Sequence, residues 1–168
     1  SSAASDVYKR QVYREAALIL PGSQYNRRWE ERLGAHPDKI HCIYNGIDPD
    51  IFPPAEAEPT APVVSWVGRI DPLKDIETLI RAFDLVRRQR PGAQLRLFGG
   101  VPAGNEGYAR ACEHLTDQLN LRQHVTFEGR VPDITDAYRA GQVVALTSVS
   151  EGFPYTVICL LYTSPRPR

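Results

Sequence analysis

Arg69 and Lys74 stand on either side of an Asp-Pro turn, directly after the β-rich run Val63–Val67 is closed by Gly68. A planar guanidinium fork and an ammonium point charge at the start of a helix are natural partners for a diphosphate, because the first helical N–H groups already favour an anion there. The same pattern fits two solvated cations near a helix start, and the residue types alone leave both readings open. A second candidate is Ser148-Val149-Ser150-Glu151-Gly152-Phe153-Pro154-Tyr155. There a carboxylate could accept hydrogen bonds from sugar hydroxyls while the backbone N–H groups that Gly152 exposes beside it donate to the same ligand. An exposed glutamate beginning a helix, favoured by the macrodipole, is the alternative. In Gly129-Arg130-Val131-Pro132-Asp133 the backbone could meet a base edge, or Asp133 could simply cap the helix that follows. Gly99-Gly100-Val101-Pro102-Ala103-Gly104 does not fit the dinucleotide pattern G-x-G-x-x-G and reads as a flexible connection. His36, His41, His114 and His124 show neither ligand spacing nor a nearby nucleophile, so no chemistry is assigned to them.

These loops need a scaffold, and the hydrophobic pattern supplies one. Val63–Val67, Gln94–Phe98, His124–Phe127 and Val143–Thr147 read as strands. Between them lie helices predicted over Pro72–Arg90, Glu106–Leu119 and Asp133–Ala140. Ile76, Leu79, Ile80, Phe83 and Val86 line one face of the first of these, with Asp71 as its N-cap and Pro72 at its first position. Strands alternating with helices demand parallel crossovers, so the expected fold is α/β, a doubly wound parallel Rossmann-like sheet with its ligands beyond the carboxyl ends of the strands. Upstream, Ser23 caps a helix carrying Tyr25, Trp29 and Leu33, and Lys39–Tyr44 reads as a short strand ended by Asn45-Gly46. Pro49 to Pro62, with five prolines, reads as a linker.

Composition narrows the function classes. The 168 residues carry 20 Lys+Arg against 20 Asp+Glu, so no long-range field draws the chain to nucleic acid or to an anionic membrane, and phosphate binding must rest on a few placed residues. No apolar run approaches the ~20 residues that a bilayer span needs. Cys42, Cys112 and Cys159 have neither metal-ligand spacing nor the density of a disulfide scaffold, which points to a reducing, cytoplasmic setting.

The two ends invite a separate explanation. Asp6–Gln11 can be written in codons whose reverse complement, read one base on, encodes Cys159–Ser164. Residues 1–11 and 159–168 therefore look like a sequencing adapter translated in frame. The expected organisation is then the tail end of a partner domain over 12–52, a linker over 53–62 and most of a Rossmann-like domain over 63–158.

Taken in order, Tyr44-Asn45-Gly46-Ile47-Asp48, Val67-Gly68-Arg69 with Lys74, Leu97-Phe98-Gly99, Phe127-Glu128-Gly129 and Ser150-Glu151-Gly152-Phe153-Pro154 resemble the retaining nucleotide-sugar glycosyltransferases of family 4, which have the two-Rossmann GT-B fold. Ser65–Ile76 and Glu151–Ile158 look most like the branch containing the Pel exopolysaccharide glycosyltransferase. The resemblance implies transfer of a hexose from a nucleotide diphosphate sugar, a UDP-sugar such as UDP-glucose, to a saccharide acceptor with retention, in exopolysaccharide biosynthesis. It implies no metal or other cofactor, no nucleic-acid partner, and peripheral association with a membrane export complex. Arg69 and Lys74 match the family's diphosphate-holding cations, next to Gly68. Glu151 matches the carboxylate that holds the transferred sugar, helped by the backbone of Gly152 and Phe153, and Val131 and Asp133 lie where the family contacts the base. Cys159 stands where the family has a second glutamate, for the ribose, a departure that fits truncation at that codon. A nucleotide-binding module without transfer activity and a GT-B epimerase remain as alternatives.

Overall fold

The computed structural model describes residues 3–57 and 59–163, and the outer residues of both suspect flanks, 1–2 and 164–168, lie outside that range. The chain divides into two units: residues 47–150 with 156–163, and residues 3–46 with 151–155.

The larger unit follows from the strand–helix alternation. Its strands are β1 (Val63–Val67), β2 (Gln94–Phe98), β3 (Val125–Gly129) and β4 (Val143–Ala145), and its helices are α1 (Ile76–Gln89), α2 (Glu106–Gln118), α3 (Ile134–Arg139) and most of α4 (Tyr155–Thr163). The sheet is wholly parallel in the order β3-β2-β1-β4, with Val63 opposite Gln94 and Val64 opposite Val143. Consecutive side chains point to opposite faces, so β1 sends Trp66 one way and Val67 the other. On the first face Trp66, Leu95, Leu97 and Val125 pack with Ile76, Leu79, Ile80 and Phe83 of α1 and with Ala109, Cys112 and Leu115 of α2. On the second face Val67 and Phe98 pack with Ala137 and Tyr138 of α3 and Cys159 of α4, while Ile47, Phe52 and Val131 lean on them. The sheet is therefore doubly wound, as expected. Trp66 and Phe83 are almost wholly buried, and losing a side chain of that size costs about 3–5 kcal/mol.

Two features of the α1 region correct the expectation. The predicted helix Pro72–Arg90 is two elements: a 3-10 turn over Pro72–Lys74, then Asp75 in the left-handed region at φ 45°, then α1. Each piece has its own cap, Asp71 accepting from the Leu73 N–H at 3.0 Å and Asp75 from the Thr78 N–H at 3.3 Å. Val86, assigned to the apolar face, is exposed, and Asp84, two residues earlier, is buried with Arg87 and Arg88 as partners.

In the smaller unit, Ala3–Glu15 is helical, and Ser23 caps a second helix over Gln24–Arg32 by accepting from the Asn26 N–H at 3.1 Å. That second helix buries none of its residues, and Tyr25 and Trp29 are about half exposed. The strand expected over Lys39–Tyr44 is reduced to one parallel bridge, Ile19 to Ile40. The Ile43 N–H donates to the Pro21 carbonyl at 3.0 Å, but Pro21 has no N–H to return and the ladder stops there. A small core of Ile19, Ala35 and Ile40 lies beneath, with Tyr13 and Ala16 against it.

Candidate functional site

The carboxyl ends of β1, β2 and β3 form a rim of peptide groups. The Gly68 N–H donates to the Phe98 carbonyl at 2.9 Å, the Gly99 N–H to the Gly129 carbonyl at 2.7 Å, and the Ile70 N–H to the Gly100 carbonyl at 3.0 Å. Gly99 has φ +144°, and a Cβ placed there would lie 1.6 Å from the Gly68 carbonyl oxygen. Only glycine fits. The segment read as a flexible connection thus starts as a locked crossing of two strand ends. Beside it, Glu128 pairs with Arg96 at 2.7 Å, and the Arg96 guanidinium lies 4.8 Å from the centre of the Phe98 ring.

Arg69 and Lys74 flank the Pro72–Lys74 turn, and the turn is held from several directions. The Asp71 carboxylate, 6% exposed, accepts from the Leu73 N–H with one oxygen and lies 3.5 Å from the Arg69 guanidinium with the other. Arg69 itself reaches into solvent, its side chain 72% exposed. From the loop after β4, the Thr147 hydroxyl donates to the Lys74 carbonyl at 3.0 Å and the Val149 N–H to the Leu73 carbonyl at 2.9 Å. These two pins join loops about 75 residues apart in sequence, and neither side chain announces them locally.

The structure changes one part of the chemistry expected here. The helix start behind Lys74 does not offer a row of vacant N–H groups, since the Ile76 N–H donates to the Tyr108 hydroxyl at 2.8 Å and the Thr78 N–H to Asp75. Burial, more than any other influence, pushes the Tyr108 hydroxyl up to about 12, so it stays protonated beside that helix end. With those N–H groups committed, the charged groups this loop has left for an anion are the side chains of Arg69 and Lys74.

The Gly129–Asp133 loop is partly committed to structure. Val131 is half-buried against the Val67 and Phe98 cluster. Asp133 caps α3, accepting from both the hydroxyl and the N–H of Thr135 at 2.8 Å, and these bonds hold its carboxyl below the usual carboxylate range. Arg130, Pro132 and Asp133 are nevertheless exposed at the surface of this loop.

Glu151, Gly152 and Phe153 belong to the smaller unit. Glu151 is half-buried at the head of an irregular turn. A Cβ on Gly152 would come within 2.9 Å of the Asn26 amide nitrogen. The Phe153 carbonyl accepts from Asn45 Nδ2 at 3.4 Å, and its ring lies 5.8 Å from the Tyr44 ring at 49°. Asn26, Tyr44 and Asn45 were not singled out in the sequence as holding this turn. Among the described residues no group of three His, Cys, Asp or Glu side chains could hold a metal ion, and no helix is long and apolar enough to cross a membrane.

Residues 48–158 match the family described as glycosyl transferases group 1. D-inositol 3-phosphate glycosyltransferase of Nocardia farcinica is 33% identical over 168 aligned positions, which span 91% of this chain and 37% of that protein. Its counterpart from Rhodococcus opacus is 32% identical, with 93% of this chain and 38% of that protein covered. The chain thus spans less than two-fifths of the length of these curated relatives. Among solved structures, Anabaena HepE in complex with UDP and glucose superposes with a TM-score of 0.87 at 23% identity, covering 96% of this chain and 47% of that one. Sucrose-phosphate synthase from Thermosynechococcus elongatus superposes at 0.82 with 24% identity, covering 95% and 42%. At those identities the likeness shows the fold alone, the GT-B fold that the motif resemblance implied.

Proposed function

The chain belongs to the group 1 glycosyl transferases, and from that membership we propose that its strand-end rim receives the nucleoside diphosphate of an activated hexose. Arg69 and Lys74 take the diphosphate, Glu151 with the backbone of Gly152 and Phe153 takes the sugar, and the backbone around Val131 and Asp133 meets the base. Breaking a sugar–phosphate bond leaves negative charge on the departing diphosphate and positive charge on the sugar. Cations carried on a turn whose backbone is already held lower that barrier with less reorganisation during the reaction. The observation that carries this reading is the Arg69–Lys74 turn, held at its front by Asp71 and at its back by Thr147 and Val149. A disposable surface loop has no call for such anchoring.

The complexes of HepE with UDP and with UDP-glucose support a uridine nucleotide as donor. The acceptor is a polyhydroxylated molecule, a saccharide or a cyclitol phosphate of the kind named for the Nocardia and Rhodococcus relatives. Transfer with retention, and a place in exopolysaccharide assembly, belong to the same proposal and rest on the motif resemblance.

Titration of the full-length protein with UDP tests it. Each charge-assisted contact is worth about 1.5–3 kcal/mol, so Arg69→Ala and Lys74→Ala should each weaken UDP binding by about ten-fold or more. Glu151→Gln should lower turnover of UDP-glucose while UDP affinity stays within a few-fold, because its contacts are to the sugar. Full UDP affinity in both cation variants would overturn the assignment.

A further inference from the structure

The turn that carries Glu151 has no regular structure of its own, so something else must hold the carboxylate where it acts. Within the smaller unit that support is two-sided. On one side the start of the Gln24–Arg32 helix presents Asn26, whose amide packs so closely on Gly152 that a Cβ there would meet it at 2.9 Å. The backbone of Asn26 is itself fixed, its main-chain N–H donating to the capping Ser23 hydroxyl at 3.1 Å. On the other side Asn45 Nδ2 donates to the Phe153 carbonyl at 3.4 Å across 108 residues of sequence, and the Tyr44 ring meets the Phe153 ring. Tyr44 is tied back to the same helix start, its hydroxyl accepting from Gln24 Nε2 at 3.1 Å. The two residues after Glu151 are thus gripped by side chains more than a hundred positions upstream.

We infer that Asn45 is a positioning residue for Glu151, acting through the Phe153 carbonyl to hold the sugar-binding turn in register. This rests on the reading of Glu151 as the residue that holds the transferred sugar. Asn45 touches the turn and not the reacting atoms. Its loss should therefore appear as a loss of affinity for the sugar portion of the donor, with the nucleotide portion unaffected.

The experiment compares UDP with UDP-glucose by isothermal titration on the full-length protein, in the wild type, Asn45→Ala and Asn45→Asp. Asn45→Asp keeps the volume against Gly22, replaces the donor with a carboxylate facing the Phe153 carbonyl, and serves as a second arm should the alanine variant fold poorly. Both variants should bind UDP as the wild type does. The advantage of UDP-glucose over UDP should shrink by about five-fold, the equivalent of one hydrogen bond. Adding Glu151→Gln to either should cause little further loss, because the two act as one unit. An unchanged UDP-glucose to UDP ratio in both variants overturns the inference and leaves the proposed function standing. Equal loss of both ligands also overturns it, by showing that Asn45 supports the fold rather than the sugar contact. A wild type that binds neither ligand removes the proposed function itself, a result distinct from the other two.

Discussion

Replacing Gly99 with alanine tests whether the rim of strand ends is a rigid crossing. At φ +144° a side chain is strained whatever the space around it, a cost of about 1–3 kcal/mol. The added Cβ also meets the Gly68 carbonyl oxygen at 1.6 Å, and that atom is backbone, with no rotamer to yield. Relief requires the ends of β1 and β2 to part by roughly the shortfall from ordinary contact distances. The separation sacrifices the Gly68 N–H to Phe98 bond at 2.9 Å and the Ile70 N–H to Gly100 bond at 3.0 Å. At about 1 kcal/mol net for each bond, the total is about 3–5 kcal/mol, a large part of the 5–15 kcal/mol that stabilises a typical domain. Urea unfolding followed by circular dichroism should show the midpoint falling by about 2 M, given a slope near 2 kcal/mol per M. Gly104→Ala is the matched control: its φ is +88° but nothing lies within 4 Å of the new Cβ, so only the conformational cost of about 1–2 kcal/mol applies. If Gly99→Ala lowered the midpoint no more than Gly104→Ala, the strand ends would not be in the contact described and the rigid rim would be refuted.

Two further outcomes follow from the titratable groups. Asp133 is held below its ordinary value of 3.8 by Thr135, Asp84 by Arg88 and Asp117 by Arg122. A carboxyl depressed on folding stabilises above its unfolded value and loses that contribution as pH falls through the folded one, so urea midpoints should hold steady above about pH 4 and decline below it, less steeply in Asp133→Asn. Burial raises the thiols of Cys112, to about 11, and of Cys159, whereas Cys42 is only half-covered, so iodoacetamide in native buffer should label Cys42 alone, and mass spectrometry finding Cys112 or Cys159 modified before unfolding would contradict the packing.

The sheet was readable because its signals are local. Val63–Val67 and Gln94–Phe98 are short apolar runs next to turn residues, and Asp133 caps α3 from within the same few residues. The break at Asp75 was less visible, because Asp71-Pro72 already makes a complete helix start and hides a second one four residues later. The trace that could have shown it is Asp75 standing three residues before Thr78, a capping spacing of its own. Lys39–Tyr44 failed as a strand for a reason outside its own sequence, since its partner contains Pro21. The anchors of the candidate-site loops were unreadable on principle. Thr147, Asn26 and Asn45 are single polar residues without periodicity, and each acts on a backbone atom or glycine 70 to 130 residues away.

Evolutionary drift meets an unusual surface where Gly68, Gly99 and Gly129 end their strands. Main-chain amides and carbonyls are the same in every sequence, so most substitutions nearby leave the hydrogen-bonding face of that rim unaltered. A lineage can therefore exchange the side chains in the surrounding loops without rebuilding the strand ends beneath them. Variation is closed off at Gly99, where any side chain at all would drive two strands apart.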